Sequence, residues 1–336
     1  MNLTAGPPRP RVRRGAYNGV KVWSREVNIF MIVSASRRTD IPAFYSEWIL
    51  NRIRMGWCLV PNPFNMNQFS RVVLSPGEVD AFVFWSRNPR PLMRHLDELD
   101  DLGCRYYFLF TVIGYPRRID MGAPPLSRSI ATFQELSARV GPKRVIWRYD
   151  PIVLSALTGT GFHERNFALV AQELKGATSR CVISFVKLYR KARVRMEAAA
   201  PGAAEPVDFG SARIRGLLST MAGCAQDNRM EILSCSSEVD FSAFGVNPSK
   251  CIDADLISKL FGARISPPKD PYQRKECGCA LSKDIGVYDS CLFGCSYCYA
   301  TSSLERARAN NSRHDALSPA LVGGADDQKI GQDLHE

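Results

Sequence analysis

The sequence predicts an α/β protein built on a parallel sheet. Short apolar runs rich in Val, Ile, Phe and Tyr recur along the 336 residues, and helix-like segments separate them. Apolar residues make up 45% and charged residues 23%, a globular balance that excludes a disordered chain. About seven strand–helix units fit a full or partial (β/α) barrel, which we predict, and a doubly wound open sheet is the main alternative.

The predicted elements alternate in chain order. The strands are Ile29–Ser34, Ala81–Trp85, Tyr106–Ile113, Val145–Tyr149, Cys181–Val186, Glu231–Leu233 and Ile285–Tyr288. The helices are Ala43–Met55, Pro91–Leu102, Ser127–Val140, His163–Leu174, Ser211–Gln226 and Ala254–Leu260. Two further runs, Trp57–Pro61 and Ser70–Ser75, are typical of a hairpin inserted over the first unit.

The two ends of the chain differ in charge from its middle. Residues 1–30 are basic and rich in arginine, and we expect a disordered extension there, although a basic arm that meets nucleic acid is an alternative. Residues 31–301 would form the barrel with its cysteine loops, and residues 302–336 a polar tail. The chain has a net charge of +11 and lacks the apolar runs of a membrane span or secretory signal, so we expect a cytoplasmic protein.

Polar clusters follow the predicted strands at the points where those strands end. Their candidate members are Arg37, Arg38 and Asp40 after the first strand, Trp85 and Arg87 at the second, Arg148 and Asp150 at a later one, and Glu238 at another. In a parallel α/β fold these positions surround the carboxyl ends of the strands, where ligands bind. A helix cap or a local ion pair explains each residue alone equally well, and only the whole set indicates a site.

Eleven cysteines are many for a chain of this length, and seven lie in its last third. Cys291, Cys295 and Cys298 have C-x3-C-x2-C spacing on one short loop. Three thiolates on such a loop can bind three irons of a cubane cluster and leave the fourth iron open. Zinc is the alternative, but a structural zinc site requires a fourth ligand. Tyr297, beside the third cysteine, can shield one face of the cluster.

Four more cysteines form a second candidate set: Cys235, Cys251, Cys277 and Cys279. Four thiolates can complete a tetrahedral zinc site or hold an auxiliary iron–sulfur cluster. The alternative is that Cys235 and Cys251 are core thiols and that only the Cys277–Gly–Cys279 pair binds a metal. The sequence does not decide between them.

The three-cysteine loop resembles the motif of the radical S-adenosylmethionine (SAM) superfamily, including the aromatic residue beside the last cysteine. The resemblance implies a [4Fe–4S] cluster on Cys291, Cys295 and Cys298, SAM bound to its open iron, and a 5′-deoxyadenosyl radical that abstracts hydrogen from a substrate. It also implies an electron donor such as a flavodoxin or ferredoxin. The superfamily motif normally follows the first strand, so its late position here implies a circularly permuted barrel, with Ile285–Tyr288 beside Ile29–Ser34.

On this resemblance, the polar clusters surround the open cluster. We assign Arg37, Arg38, Asp40, Arg148 and Asp150 to catalysis, and Tyr297, Trp85, Arg87 and Glu238 to cofactor binding. Arginines can bind carboxylates or phosphates, and the acidic groups can bind the ribose hydroxyls of SAM or move protons. Trp85 and Trp147 can stack on adenine or on a substrate base.

From Met31 to about Ile330 the chain resembles the domain-of-unknown-function family 1848. The resemblance rests on Ser34–Pro42, Trp85–Pro89, Val145–Pro151, Cys277–Cys279 and Cys291–Ala300. It implies an iron–sulfur, radical-SAM-like protein and no particular reaction. The cysteine loop is also similar to that of spore photoproduct lyases, which implies an alternative lyase acting on a nucleic-acid lesion. A non-catalytic binding module stabilised by zinc or iron–sulfur is the alternative outside the enzyme class.

One basic run, Lys187–Arg195, contains an aromatic residue and is the strongest such cluster in the chain. Lysine and arginine interleaved with tyrosine can contact a nucleic-acid backbone. A solvated loop or helix face is the more common role of a charged run, and we favour it from sequence alone.

Overall fold

The chain forms twelve strands and ten helices in the computed structural model, which describes residues 12–17, 20–25, 30–203, 205–262 and 265–322. The strands are β1 (Val12–Tyr17), β2 (Val20–Arg25), β3 (Ile32–Ala35), β4 (Trp57–Asn62), β5 (Asn65–Val73), β6 (Ala81–Ser86), β7 (Tyr106–Thr111), β8 (Val145–Ile152), β9 (Arg180–Phe185), β10 (Glu231–Cys235), β11 (Asn247–Ser249) and β12 (Lys283–Asp284). The helices are α1 (Ile41–Phe44), α2 (Ser46–Met55), α3 (Arg90–Met93), α4 (Leu96–Asp101), α5 (Leu126–Val140), α6 (Thr160–Glu173), α7 (Arg190–Ala199), α8 (Ala212–Asp227), α9 (Ala254–Phe261) and α10 (Leu304–Asn311).

Eight strands form one parallel sheet in the order β11-β10-β9-β8-β7-β6-β3-β12. This confirms the predicted α/β class. Within the described residues the sheet is open, with β11 and β12 at its edges, so a closed barrel is not found there. All eight strands direct their carboxyl ends to the same side, where ligands of parallel sheets bind.

The sheet is buried on both faces, which explains why its strands are continuously apolar. On β6 and β7, Phe82, Phe84 and Phe108 belong to the larger core cluster, which includes residues of α2, α5, α6 and α8. The alternate residues Val83 and Tyr107 face the other side and pack into a smaller cluster with α9 and three of the cysteines. The period of two along each strand therefore separates a helix-covered face from a cysteine-bearing face.

The last strand differs from its prediction. Strand β12 is Lys283–Asp284, whereas Ile285–Tyr288 was the predicted strand. Asp284 Oδ1 accepts a hydrogen bond from the Gly286 N–H (3.0 Å). This local bond competes with the backbone hydrogen bonds that would extend the pairing of β12 with β3. The predicted neighbour is confirmed, because β12 pairs with β3 through Lys283 and Val33.

The predicted hairpin is confirmed and belongs to a second sheet. Strands β4 and β5 are antiparallel, and the sheet order is β1-β2-β5-β4. Strands β1 and β2 lie in the segment predicted as a disordered extension. Residues 1–11, 18–19 and 26–29 of that segment lie outside the described residues.

The described part of the predicted polar tail is packed against the domain. After α10, Leu321 is fully buried, and the Trp48 indole donates to the Ser318 carbonyl (2.9 Å). The Leu59 N–H donates to the Pro319 carbonyl (2.9 Å). Residues 323–336 of the tail lie outside the described residues.

No helix in the described ranges is both long and apolar enough to cross a membrane.

Candidate functional site

A cavity of about 320 Å³ lies at the carboxyl ends of the parallel strands. Of the residues predicted from the strand ends, it is lined by Arg37, Arg38, Asp40, Trp85, Arg87, Arg148 and Asp150, together with Tyr297 and all seven cysteines of both sets. The parallel sheet brings them together because each cluster directly follows or ends a strand, and those ends share one side of the sheet.

The cysteine loop is fixed by backbone hydrogen bonds to the segment after β7. The Gly122 N–H donates to the Phe293 carbonyl (2.8 Å), and the Ser296 N–H donates to the Ile119 carbonyl (2.9 Å). A Cβ at Gly122 would lie 2.7 Å from the Phe293 oxygen, so this close approach requires glycine. Gly294 has a φ of +65°, which lets the loop turn between its first two cysteines.

Arg195 of α7 holds the other side of the same loop. Its guanidinium donates to the carbonyl oxygens of Ser296 (3.4 Å), Ser302 (3.1 Å) and Cys298. These carbonyls lie at the end of a loop, where no helix or sheet supplies backbone hydrogen-bond donors. The Arg195 side chain donates to them instead. Arg195 falls within the basic run Lys187–Arg195, for which the sequence favours a solvated loop or helix face, and the structure gives this residue contacts with the cysteine loop instead.

A buried ion pair lies beneath the loop. Arg87 donates to the Asp120 carboxylate and to the Tyr297 hydroxyl, and the Tyr297 hydroxyl also contacts Asp120 (3.2 Å). Asp120 is 1% exposed. Burial raises the pKa of the Tyr297 phenol, which therefore stays protonated. Tyr297 is thus held in a fixed orientation by charged partners.

Asp40 joins the strand ends to the first cysteine of the loop. Its carboxylate accepts from the Ser86 hydroxyl (2.8 Å), the Arg87 N–H (2.6 Å) and the Ala43 N–H (3.0 Å). Its backbone N–H favours the thiolate form of Cys291, which places Asp40 beside that cysteine. Burial raises the pKa of Asp40 to about 7, and the three donors oppose that shift.

The second set of thiols comes together from four places in the chain. Cys235 and Cys251 Sγ atoms are 3.2 Å apart, and hydrogen bonding by the thiols of Cys251 and Cys277 influences the pKa of Cys279. The Ile252 N–H donates to Cys279 Sγ (3.4 Å). The two thiol hydrogen bonds hold the pKa of Cys279 well below its usual range, and the Arg37 guanidinium lowers it further.

Trp85 lies between two arginines on the cavity wall. The guanidinium carbon of Arg148 is 4.5 Å from its ring centroid, and that of Arg37 is 5.4 Å away. Arg148 pairs with Asp150, which also accepts from the Ser184 hydroxyl. The predicted polar cluster at β8 is therefore an ion pair that contacts an aromatic ring.

Two predicted residues lie elsewhere. Glu238 is exposed and pairs with Lys187 (2.7 Å), and it does not line the cavity, because the chain turns outward after β10. Trp147 is fully buried, and its indole donates to the Val112 carbonyl (2.9 Å), so it cannot stack on a ligand. Alternation along β8 directs Trp147 into the core and Arg148 toward the cavity.

Sequence reasoning missed three residues that position the site. Asp284 accepts from the Ser36 hydroxyl (2.8 Å) and the Arg37 N–H (2.8 Å), and Tyr299 donates to the Arg37 carbonyl (2.9 Å). Asp120, the third, supports the cysteine loop. The only sequence signal for Asp284 and Tyr299 is their nearness to the cysteine motif, and Asp120 has none.

Two thiols of the cysteine loop, Cys291 and Cys295, favour the protonated form. Burial raises the pKa of Cys291 to about 12 and raises that of Cys295 as well. No group of three or more His, Cys, Asp or Glu side chains within the described residues is arranged to hold a metal ion. What the structure gives is the donor set: three thiols of one loop and four thiols of a second set facing one cavity.

The comparisons with known proteins identify a family. No curated protein matches the chain. The model of a family described as a domain of unknown function, DUF1848, matches residues 32–300, which is most of the chain and contains every residue that lines the cavity. The protein therefore belongs to the DUF1848 family.

Proposed function

We propose that the protein is an iron–sulfur enzyme of the radical-SAM type. Cys291, Cys295 and Cys298 would hold a [4Fe–4S] cluster with one open iron. When bound, the cluster and SAM supply a 5′-deoxyadenosyl radical that abstracts hydrogen from a substrate. The reaction needs an electron from a donor such as a flavodoxin or ferredoxin, and a cytoplasmic location suits such donors and free thiols.

One observation carries the proposal: three thiols from one eight-residue loop line a single cavity at the carboxyl ends of parallel strands. Soft thiolate donors suit iron–sulfur clusters, and three of them leave a coordination position for a second ligand. The backbone N–H groups of Phe293 and Asp40 favour the thiolate form of Cys291, against its burial and the nearby Asp40 carboxylate.

We infer a circularly permuted, partial (β/α) barrel as the finer description of the fold. The sheet contains eight parallel strands, and their order follows the chain except for β12. Strand β12, which precedes the cysteine loop, pairs with β3. A circular permutation that moves the first strand, which carries the motif, to the end of the chain would place β12 beside β3.

The surrounding residues of the chain would bind and orient SAM and substrate. Arg37, Arg38 and Arg148 can donate to carboxylate or phosphate oxygens, and Asp150 can accept from a hydroxyl. Trp85 lines the cavity and can contact a base there. Arg87, Asp40 and Tyr297 are better described as positioning residues, because their polar atoms are engaged with one another and with the cysteine loop.

We propose a second thiolate-ligated centre at Cys235, Cys251, Cys277 and Cys279, either an iron–sulfur cluster or zinc. The mutual contacts of these thiols support it. Arg37 and Arg148 lie close to the set and can offset the negative charge that four thiolates would bring.

The test is anaerobic purification followed by iron and sulfide analysis and electron paramagnetic resonance of the reduced protein, before and after SAM is added. We expect a cubane signal that shifts with SAM. A Cys295→Ala variant should lose the SAM-dependent shift. A Cys224→Ala variant should keep it, because Cys224 lies on α8 and does not line the cavity.

Two results would overturn the proposal. Zinc in place of iron, or a cluster whose signal is indifferent to SAM, would favour the non-catalytic binding module. The lyase alternative is narrower than the proposal, because it specifies one reaction, on a nucleic-acid lesion, and it predicts nucleic-acid binding that weakens steeply with salt.

A further inference from the structure

Two exposed tyrosines lie at the mouth of the cavity, one lining it and the other packed against the first. Tyr189 is 47% exposed and Tyr299 is 50% exposed, and their ring centroids lie 6.1 Å apart. Tyr299 also lines the cavity, so this pair connects the interior with the outer surface. Exposed aromatic pairs at a cavity mouth offer flat apolar faces to a ligand.

Cations accompany these aromatic rings. The Arg274 guanidinium lies 5.9 Å from the Tyr189 ring centroid, and the Arg38 guanidinium lies 5.1 Å from that of Tyr288. Arg38 and Arg274 both line the cavity. We call Arg38, Tyr189, Arg274, Tyr288 and Tyr299 the rim.

Helix α7 extends the positive charge away from the rim. It begins directly after Tyr189, and its residues Arg190 and Lys191 are exposed. On its inner side the same helix sends Arg195 to the carbonyls of the cysteine loop. The helix therefore joins an exposed basic surface to the loop that would hold the cluster.

The cavity is small for its proposed contents. Its volume of about 320 Å³ lies at the low end for ligand pockets, and the cluster and SAM must share it. Little room remains inside for a large substrate. A substrate that places one small group in the cavity and contacts the rim with the rest fits this shape.

Aromatic rings that can stack on a base, placed beside cationic side chains, match one chemical class of ligand. Single-stranded nucleic acid presents a base to each aromatic face and a phosphate to each neighbouring cation. The cations continue from the rim along the first turn of α7, so more than one phosphate can be contacted. A free nucleotide would leave the outer cations unused.

We propose that the rim and the exposed face of α7 bind single-stranded nucleic acid and present one nucleotide of it to the cavity. This inference rests on the proposed function and names its substrate class.

The test is fluorescence anisotropy of labelled 20-nucleotide DNA and RNA single strands with the anaerobically purified protein. We expect binding whose affinity falls with salt. A Tyr189→Ala/Arg274→Gln variant should bind about tenfold more weakly, since stacking and a phosphate contact are lost. Tyr189→Phe, which keeps the ring, should retain the affinity. Lys143→Gln is the matched control: Lys143 is exposed and lies two residues before β8, at the amino ends of the strands.

Three results would overturn the inference: no binding at about 50 mM salt, equal binding by the double variant and the Lys143→Gln control, or full competition by a mononucleotide at equal concentration. The last would make a free nucleotide the ligand. Binding is measured without turnover, so its failure alongside a SAM-responsive signal rejects only this inference. Binding without such a signal rejects only the proposed function.

Discussion

The two sets of cysteines face the same cavity but are built differently. Cys291, Cys295 and Cys298 lie within eight residues, on a loop fixed by backbone contacts to Gly122 and by the Arg195 side chain. The second set spans residues 235–279 and comes together only because β10, the segment after β11 and the Cys277–Cys279 turn meet at the cavity.

The difference lies in what holds each set. The loop set is held by local geometry, and its thiols have backbone and side-chain support from the β7–α5 segment and from α7. The thiols of the second set hold one another, with Cys235 and Cys251 Sγ atoms 3.2 Å apart and Arg37 beside Cys279. A local motif can be recognised in a sequence, whereas a distributed one depends on the fold.

The largest expected effect is a change in metal content, which distinguishes the two sets of cysteines. A Cys235→Ser/Cys279→Ser variant should lose about half of the iron or all of the zinc, since each set would hold one centre. It should keep the SAM-dependent change of the resonance signal, because the loop set is untouched. Metal analysis of this variant against Cys295→Ala and wild type gives the answer. Unchanged metal in the double variant would contradict a second centre.

The next largest effect tests the support beneath the loop. An Arg87→Met substitution leaves the buried Asp120 carboxylate without its cation, and we expect about 3–5 kcal/mol of lost unfolding free energy. Urea unfolding followed by tryptophan fluorescence measures it.

The matched control for that substitution is Arg54→Met. Arg54 pairs with Glu98 at 2.5 Å, but both are well exposed, so we expect a loss of about 0–1 kcal/mol. Equal losses in the two variants would show that the Arg87–Asp120 pair has no special role in the loop.

The smallest expected effect concerns His163, which lies in the core away from both cysteine sets. Its Nε2–H donates to the Val153 carbonyl (2.9 Å), so its Nδ1 accepts from the Tyr149 hydroxyl (2.9 Å). Burial lowers the pKa of His163 to about 4. Between that value and the usual pKa of about 6.5, the unfolded chain binds the extra proton. Stability should therefore fall by about 3 kcal/mol as the pH drops from 6.5 to 4.

Comparing wild type with His163→Gln isolates this contribution from acid release of metal, which both proteins share. The variant should show a shallower loss of urea-unfolding free energy over the same pH range. Parallel pH curves for the two proteins would contradict the assignment.

Most of the central sheet could be predicted from apolar runs, because buried parallel strands have a strong and continuous pattern. Strand β12 was displaced by two residues, since the carboxylate of Asp284 turns the chain at Gly286. Helix α7 was not predicted, because its ten residues carry four basic side chains and only Ala192 and Met196 are buried.

For the candidate site, the residues at strand ends were mostly predicted, and their partners were not. Trp85, Arg148 and Asp150 were identified, but nothing in the sequence joins Arg148 to the Trp85 ring. Glu238 does not line the cavity, because the chain after β10 turns toward Lys187 at the surface. Contacts between side chains far apart in sequence have no local pattern to reveal them.

The sequence by itself determined the α/β class, the strand order along the chain and the spacing of the three-cysteine loop, because these depend on local periodicity and short-range spacing. Only the tertiary structure decided that all seven cysteines share one cavity, that Asp120 and Arg195 support the loop, and that tyrosines and arginines lie together at the mouth. These features arise where parallel strands bring their carboxyl ends together, and that convergence is a property of the sheet rather than of any one segment.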